Sequence, residues 1–217
     1  MRSTCDEARK EETDFPLLQL TADPLAVLVA TVLSQATNDR ISFRAYTALR
    51  RAFPRWEDLM VAPEEKIAQI IAPAGLAGQK AHTIKAILTR LSAERGQLSL
   101  DFLRHLSGQE VRHHLLSFPG IGPKTAACVQ LFSLGQVAFP VDTHIRRVAA
   151  RLGLIPAKTD PARAQAILEK IIRPEDCLPL HLAMIGHGRR ICRPRNPRCG
   201  ECPLEPDCPG SHVPAQS

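Results

Sequence analysis

At 217 residues the chain is long enough for one sizeable domain or two small ones. Its 44% hydrophobic and 23% charged residues exclude a disordered or fibrous chain, and the longest apolar run, Leu25 to Leu33, is about half of a bilayer span, which excludes a membrane helix. The net charge of +6 admits an anionic partner without singling one out, while 4% aromatics beside abundant Ala and Leu favour helix over sheet.

The first stretch, MRSTCDEARKEETD, is charged and lacks an apolar core, so it forms no secretory signal and the chain reads as cytoplasmic. In that compartment seven cysteines are metal ligands or free thiols rather than disulfides. Asp23-Pro24 reads as a helix start, with Asp23 as N-cap and Pro24 at the first helical position. The apolar run that follows shows no alternation and predicts a buried helix. A helical pattern from Ser42 to Phe53 ends at Pro54. Glu64 and Glu65 open a further helix with acids in its first turn, and it stops before Pro73-Ala74-Gly75. A long helix is predicted from Gln79 to Ala93, ended by Gly96. Ser99 or Asp101 caps a short one, and Ser107 caps a helix through Leu116. The turn Phe118-Pro119-Gly120-Ile121-Gly122 leads to a helix from Pro123. After Gly135 a linker, Gln136 to Pro140, precedes a helix that Asp142 caps and that runs up to Gly153. Asp160-Pro161 starts a helix to Ile172, and Asp176 caps another before Gly188. From Cys192 onward the chain is rich in Pro, Arg and Cys without periodicity. No segment reads as a strand and no repeat is present, so the expected class is all-α.

Four of the cysteines, Cys192, Cys199, Cys202 and Cys208, are spaced C-x6-C-x2-C-x5-C. The prolines and arginines between them build no core, so the segment needs the free energy of a bound metal centre to fold. Four thiolates suit either tetrahedral zinc or a [4Fe–4S] cluster. Zinc sites usually come as two close pairs, and here only Cys199 and Cys202 are close. The scattered Cys5, Cys128 and Cys177 read as ordinary small apolar residues. Arg189, Arg190, Arg193, Arg195 and Arg198 fall in one stretch without an acid, a run that repels itself unless something anionic such as phosphate lies against it.

The strongest single motif is Leu116-Ser-Phe-Pro-Gly-Ile-Gly-Pro-Lys-Thr-Ala126. Gly120 and Gly122 permit a tight turn and close approach of another backbone. That turn delivers the chain to a helix N-terminus, where free amides and the dipole attract phosphate. This is the logic of a helix–hairpin–helix, a sequence-independent grip on the DNA backbone. On these residues alone Lys124 reads equally as a phosphate contact, and Asp142, eighteen residues on in Val141-Asp-Thr-His-Ile-Arg-Arg-Val148, as a helix cap.

Taken together, LSFPGIGPKTA, VDTHIRRV and the cysteine spacing resemble the endonuclease III family of DNA glycosylases and AP lyases, from about Pro24 to Cys208. The resemblance implies two helical lobes, one of residues 24–136 and one combining 1–23 with 137–217, with the active site in the cleft between them. It makes Lys124 the nucleophile and Asp142 its catalytic partner, Cys192, Cys199, Cys202 and Cys208 the ligands of a [4Fe–4S] cluster, and Arg193, Arg195 and Arg198 a phosphate-binding loop. Gly120, Gly122, Thr125 and His144 are then DNA contacts, and Leu76, beside Gln79-Lys80-Ala81, is the wedge that fills the gap of a flipped nucleotide. The family usually shows Ser-Ala-Gln-Ala-Thr-Asp where this chain has Ser34-Gln-Ala-Thr-Asn-Asp39. Aligned without a gap, Ala36 stands at the glutamine's place, and Gln35 takes that role only through a one-residue shift of the backbone. The implied activity is removal of oxidised pyrimidines from double-stranded DNA and cleavage at the abasic site, by a monomer that meets no membrane. Two other readings compete: a related glycosylase for adenine mismatches or alkylated bases, and a non-enzymatic iron–sulfur protein that binds DNA. Lys124 and the short segment after Cys208 weigh against the adenine-mismatch type, and Lys124 together with Asp142 against the non-enzymatic one.

Overall fold

Every regular element among residues 16–211, the part described in the computed structural model, is helical. Backbone contacts divide the chain after Gly135 into two compact units.

In the first unit a 3-10 turn at Pro16–Leu20 precedes helices α1 (Pro24–Ser34), α2 (Asp39–Ala52), α3 (Trp56–Val61), α4 (Glu64–Ile71), α5 (Ala77–Arg95), α6 (Gly108–Leu116) and α7 (Pro123–Leu134). The central helix is α1. Asp23 caps it as expected, accepting from the amides of Leu25 and Ala26, an arrangement that stabilises a helix by about 1 kcal/mol. Every residue from Leu25 to Leu33 is buried, and Thr31, the polar one, satisfies its hydroxyl on the Val27 carbonyl at 2.7 Å. A helix apolar all round needs neighbours on each side. Here α2, α5, α7 and the turn at Pro16–Leu20 supply them. That turn packs in the first unit, and residues 1–15, Cys5 among them, lie outside the described residues.

The starts of α2 and α5 differ from the sequence reading, and α3 is absent from it. Helix α2 begins at Asp39 because Asn38 caps it, accepting from the Ile41 amide at 3.0 Å. The short α3 has no side-chain cap and is held by burial of Trp56 and Leu59, with the Arg50 guanidinium 3.8 Å from the Trp56 ring centre. Ser107 and Glu110 form a full capping box at the start of α6.

The second unit contains α8 (Thr143–Arg151), α9 (Pro161–Ile171) and α10 (Cys177–Arg190), followed by 3-10 turns at Cys199–Glu201 and Glu205–Asp207. Helices α8 and α10 pack closely: a Cβ added at Gly188 would lie 3.0 Å from the His144 Cβ. Asp160 caps α9 as expected. Asp176 does not cap α10, because its backbone is already helical and its carboxylate instead accepts from Arg173 Nε at 2.7 Å. Cys128 and Cys177 are buried, in keeping with their reading as small apolar residues. Among the described residues no helix is long and apolar enough to cross a membrane.

Candidate nucleic-acid interface and thiol pocket

The hairpin is built on Phe118, which is 2% exposed and anchors the segment that follows. The Ile121 amide closes the turn on the Phe118 carbonyl at 3.3 Å. Gly120 sits at φ +75, and a Cβ there would lie 2.8 Å from the Thr83 hydroxyl oxygen, so both conformation and space require glycine. Gly122 is different. It is the extended N-cap of α7, has open space for a Cβ, and offers no side chain to the first turn. Its contribution is to leave the N-terminal amides of α7 to a ligand. Gly120→Ala is accordingly expected to destabilise the fold by about 1–3 kcal/mol, and Gly122→Ala by less than about 0.5 kcal/mol, which thermal melts compare directly.

Lys124 is the second residue of α7 and is exposed. Thr125, the next residue, is 4% exposed and turns inward, where its hydroxyl lies 3.5 Å from the Gln35 amide nitrogen. The same nitrogen donates to the Gly120 carbonyl at 3.3 Å. Gln35 thus reaches the hairpin, and Ala36 after it adopts a left-handed backbone at φ +54. Leu76 is 56% exposed and also left-handed, at φ +51, directly after Gly75 at φ +72. Holding a leucine in that region costs about 1–2 kcal/mol, the sort of strain that collects at functional sites. Leu76 is therefore no core residue; it stands out from the surface on a strained turn.

In the second unit Asp142 caps α8, its Oδ1 accepting from the Ile145 amide at 2.7 Å. His144 Nδ1 lies 3.2 Å from Arg147 Nη2. Arg147 and Arg151, four apart on one face of α8, hold the start of the cysteine segment. Arg147 donates to the carbonyls of Cys192 at 2.9 Å and Gly188 at 2.8 Å, and Arg151 to the Arg193 carbonyl at 2.7 Å and the Cys192 sulfur at 3.3 Å. Neither arginine was singled out from the sequence, although their spacing at i and i+4 above a loop of turn carbonyls is the signal that finds them. Burial pulls the Arg147 guanidinium below its ordinary value.

The thiols of Cys192, Cys199, Cys202 and Cys208 line one pocket, together with Arg151, His187 and others. The segment is more regular than its sequence reads. Amides of Cys202, Glu205, Cys208 and Ser211 each bond the carbonyl three residues back, so Cys199, Cys202 and Cys208 recur at multiples of three. The Gly210 amide then returns to the Arg151 carbonyl at 3.0 Å. A Cβ at Gly210 would lie 2.8 Å from that oxygen, so glycine permits the return. Arg193, Arg195 and Arg198 are exposed; Arg193 Nε bonds the Arg190 carbonyl, and Arg198 faces Glu201 at 3.4 Å in an exposed pair worth little.

Residues 29–174 match the family model described as HhH-GPD superfamily base excision DNA repair protein. Endonuclease III of Thermotoga maritima is 35% identical over 202 residues, which cover 93% of this chain and 90% of that one. The chain belongs to the endonuclease III family of HhH-GPD base excision DNA repair proteins. A putative DNA glycosylase of Arabidopsis thaliana is 42% identical over 165 residues, 76% of this chain but 56% of the relative, so the chain spans little more than half the length of that protein. Among solved structures, a trapped endonuclease III–DNA covalent intermediate superposes with a TM-score of 0.76 at 30% identity, covering 87% of this chain and 84% of that one. The all-helical family fold expected from the motifs is thus the fold observed.

Proposed function

We propose that the protein is a bifunctional DNA N-glycosylase and AP lyase acting on oxidised pyrimidines in double-stranded DNA, with Lys124 as nucleophile and Asp142 as its acid–base partner. The observation that carries the reading is the placement of Lys124: exposed on the first turn of α7, one residue beyond a proline and two beyond the capless Gly122. Similarity to an endonuclease III caught in covalent linkage to DNA supports it.

The chemistry follows from the residue types. A stacked base must first leave the helix, and Leu76 and Gln35 fill the space it vacates. The neutral amine of Lys124 attacks C1′ of the sugar as the N-glycosidic bond breaks, the base departing with the bonding pair and taking up a proton. The Lys124 nitrogen loses its proton and the C1′–O4′ bond opens, giving an iminium. This acidifies C2′; removal of a C2′ proton expels the 3′ phosphate with the C3′–O pair, and water hydrolyses the imine to restore the lysine. Asp142 stabilises the cationic sugar and carries protons in these steps.

The four thiols that line the pocket fit an iron–sulfur centre. Four thiolates on one pocket are the donor set of a [4Fe–4S] cluster, and the resemblance to the endonuclease III family favours that over zinc. Cys192, Cys199, Cys202 and Cys208 would hold it, and when bound it supplies folding free energy to the arginine loop rather than chemistry at the sugar. Protein prepared without air is expected to hold about four irons per chain, and Cys202→Ser to lose iron and bind duplex more weakly. Stoichiometric zinc without iron contradicts this. The activity itself is tested by borohydride trapping across duplexes bearing an oxidised pyrimidine, an adenine mismatch, an alkylated base or an abasic site. A covalent complex with the first and last supports the reading; none with any of them sinks it.

A further inference from the structure

Lys80, on α5, is 2% exposed, a charge placed where packing alone calls for none. Its ammonium donates to the Leu33 carbonyl and the Ala74 carbonyl, each at 2.8 Å. Its backbone amide donates to the Leu76 carbonyl at 2.9 Å. One residue thus binds the carbonyls on both sides of Gly75, the turn in which Gly75 and Leu76 are consecutively left-handed. The other acceptor, Leu33, belongs to the last turn of α1, where a carbonyl lacks a helical partner and a positive charge is favoured. Two residues later comes Gln35, whose amide grips the hairpin. Burial pulls the Lys80 ammonium below the ordinary lysine value, and the two carbonyls offset that by holding its protons.

We propose that Lys80 is a positioning residue that sets the Leu76 turn and the Gln35 segment in register with each other, so that the pair enters a duplex at a missing or extruded nucleotide as one preformed unit. The inference rests on the reading that this protein opens the base stack, but not on the nucleophile. Without the ammonium, the strained turn loses the contact that fixes the Ala74 carbonyl, and Leu76 relaxes to a conformation that no longer projects. Phosphate contacts made by the hairpin are untouched. The signature is selective: recognition of a gap in the stack fails while general affinity for duplex stays.

Lys80→Met keeps the bulk of the side chain and removes the charge. The test compares its affinity for a duplex carrying a tetrahydrofuran abasic analogue with its affinity for the same undamaged duplex, and follows a 2-aminopurine placed opposite the analogue. The preference for the analogue is expected to fall about tenfold, with the 2-aminopurine signal change lost, while affinity for undamaged duplex changes by less than about twofold. A folded Lys80→Met protein with the wild-type preference overturns the proposal, as does a joint fall of both affinities with the melting temperature, which marks a purely structural lysine. A wild-type protein with no preference overturns it too. Should Lys80→Met not fold, Gly75→Ala strains the same exposed turn without touching the core, and there a preserved preference is the overturning result. Absence of borohydride trapping by the unsubstituted protein, with the preference intact, counts against Lys124 chemistry and leaves Lys80 in place.

Discussion

Lys124→Ala is expected to abolish the borohydride-trapped complex with abasic DNA and to lower base removal and strand cleavage by on the order of a thousandfold or more, as removal of a nucleophile does. Affinity for undamaged duplex should persist, because one lost cation removes about one phosphate's share of the salt-dependent binding. The fold should persist as well. Lys124 is exposed, and the first turn of α7 is set by Pro123 and by the Ala126 amide bonding the Gly122 carbonyl at 3.0 Å. The competing account, in which Lys124 grips phosphate, predicts the opposite pattern: weakened binding, with trapping retained through another amine. That result would favour the non-enzymatic DNA-binding reading. Trapping, filter binding and a salt titration on one preparation separate the two.

Much of the fold could be read because its punctuation is local. Asp23, Ser107 and Asp160 cap helices within three residues of themselves, and Gly96 and Gly135 end helices in the left-handed region, so composition and spacing suffice. Helix α3 escaped because no side chain caps it and its six residues show too little periodicity; burial of Trp56 decides it. The site was legible where backbone needs dictate residue type, as at Gly120, and where close spacing gathers side chains, as in the four thiols on one pocket. It was less legible wherever the outcome depends on distant parts of the chain. Gln35 looked displaced by a residue, and only the fold shows that it reaches a hairpin 85 residues away, with a left-handed Ala36 after it. Lys80 in a helix reads as a solvated charge, and Arg147 and Arg151 as an exposed basic pair. Tertiary packing turns all three into donors to backbone carbonyls. Thr125, next to Lys124 in sequence, reads as a DNA contact, but the helical turn sends its side chain inward, where it meets Gln35.

Asp142→Asn separates the helix cap that Asp142 forms from the acid–base role proposed for it. Its Oδ1 caps α8, and asparagine caps a helix about as well as aspartate, so the variant should melt within about 0.5 kcal/mol of the parent. It should also bind duplex as tightly, since the change adds no negative charge near phosphate. Base removal, however, should slow by on the order of a hundredfold or more, because the amide oxygen carries no charge to oppose the cationic sugar and takes up no proton. Asp142→Ala provides the contrast: it loses the cap as well, at a cost of about 1 kcal/mol, and should be no slower in chemistry than the asparagine variant once the folded fraction is accounted for. If Asp142 only caps, the asparagine variant is silent in every assay and the alanine variant loses stability alone. Single-turnover rates on an oxidised-pyrimidine duplex, measured beside thermal melts of the three proteins, decide between these patterns. Full activity in Asp142→Asn leaves the cap as the residue's whole function and moves the acid–base role elsewhere in the chain.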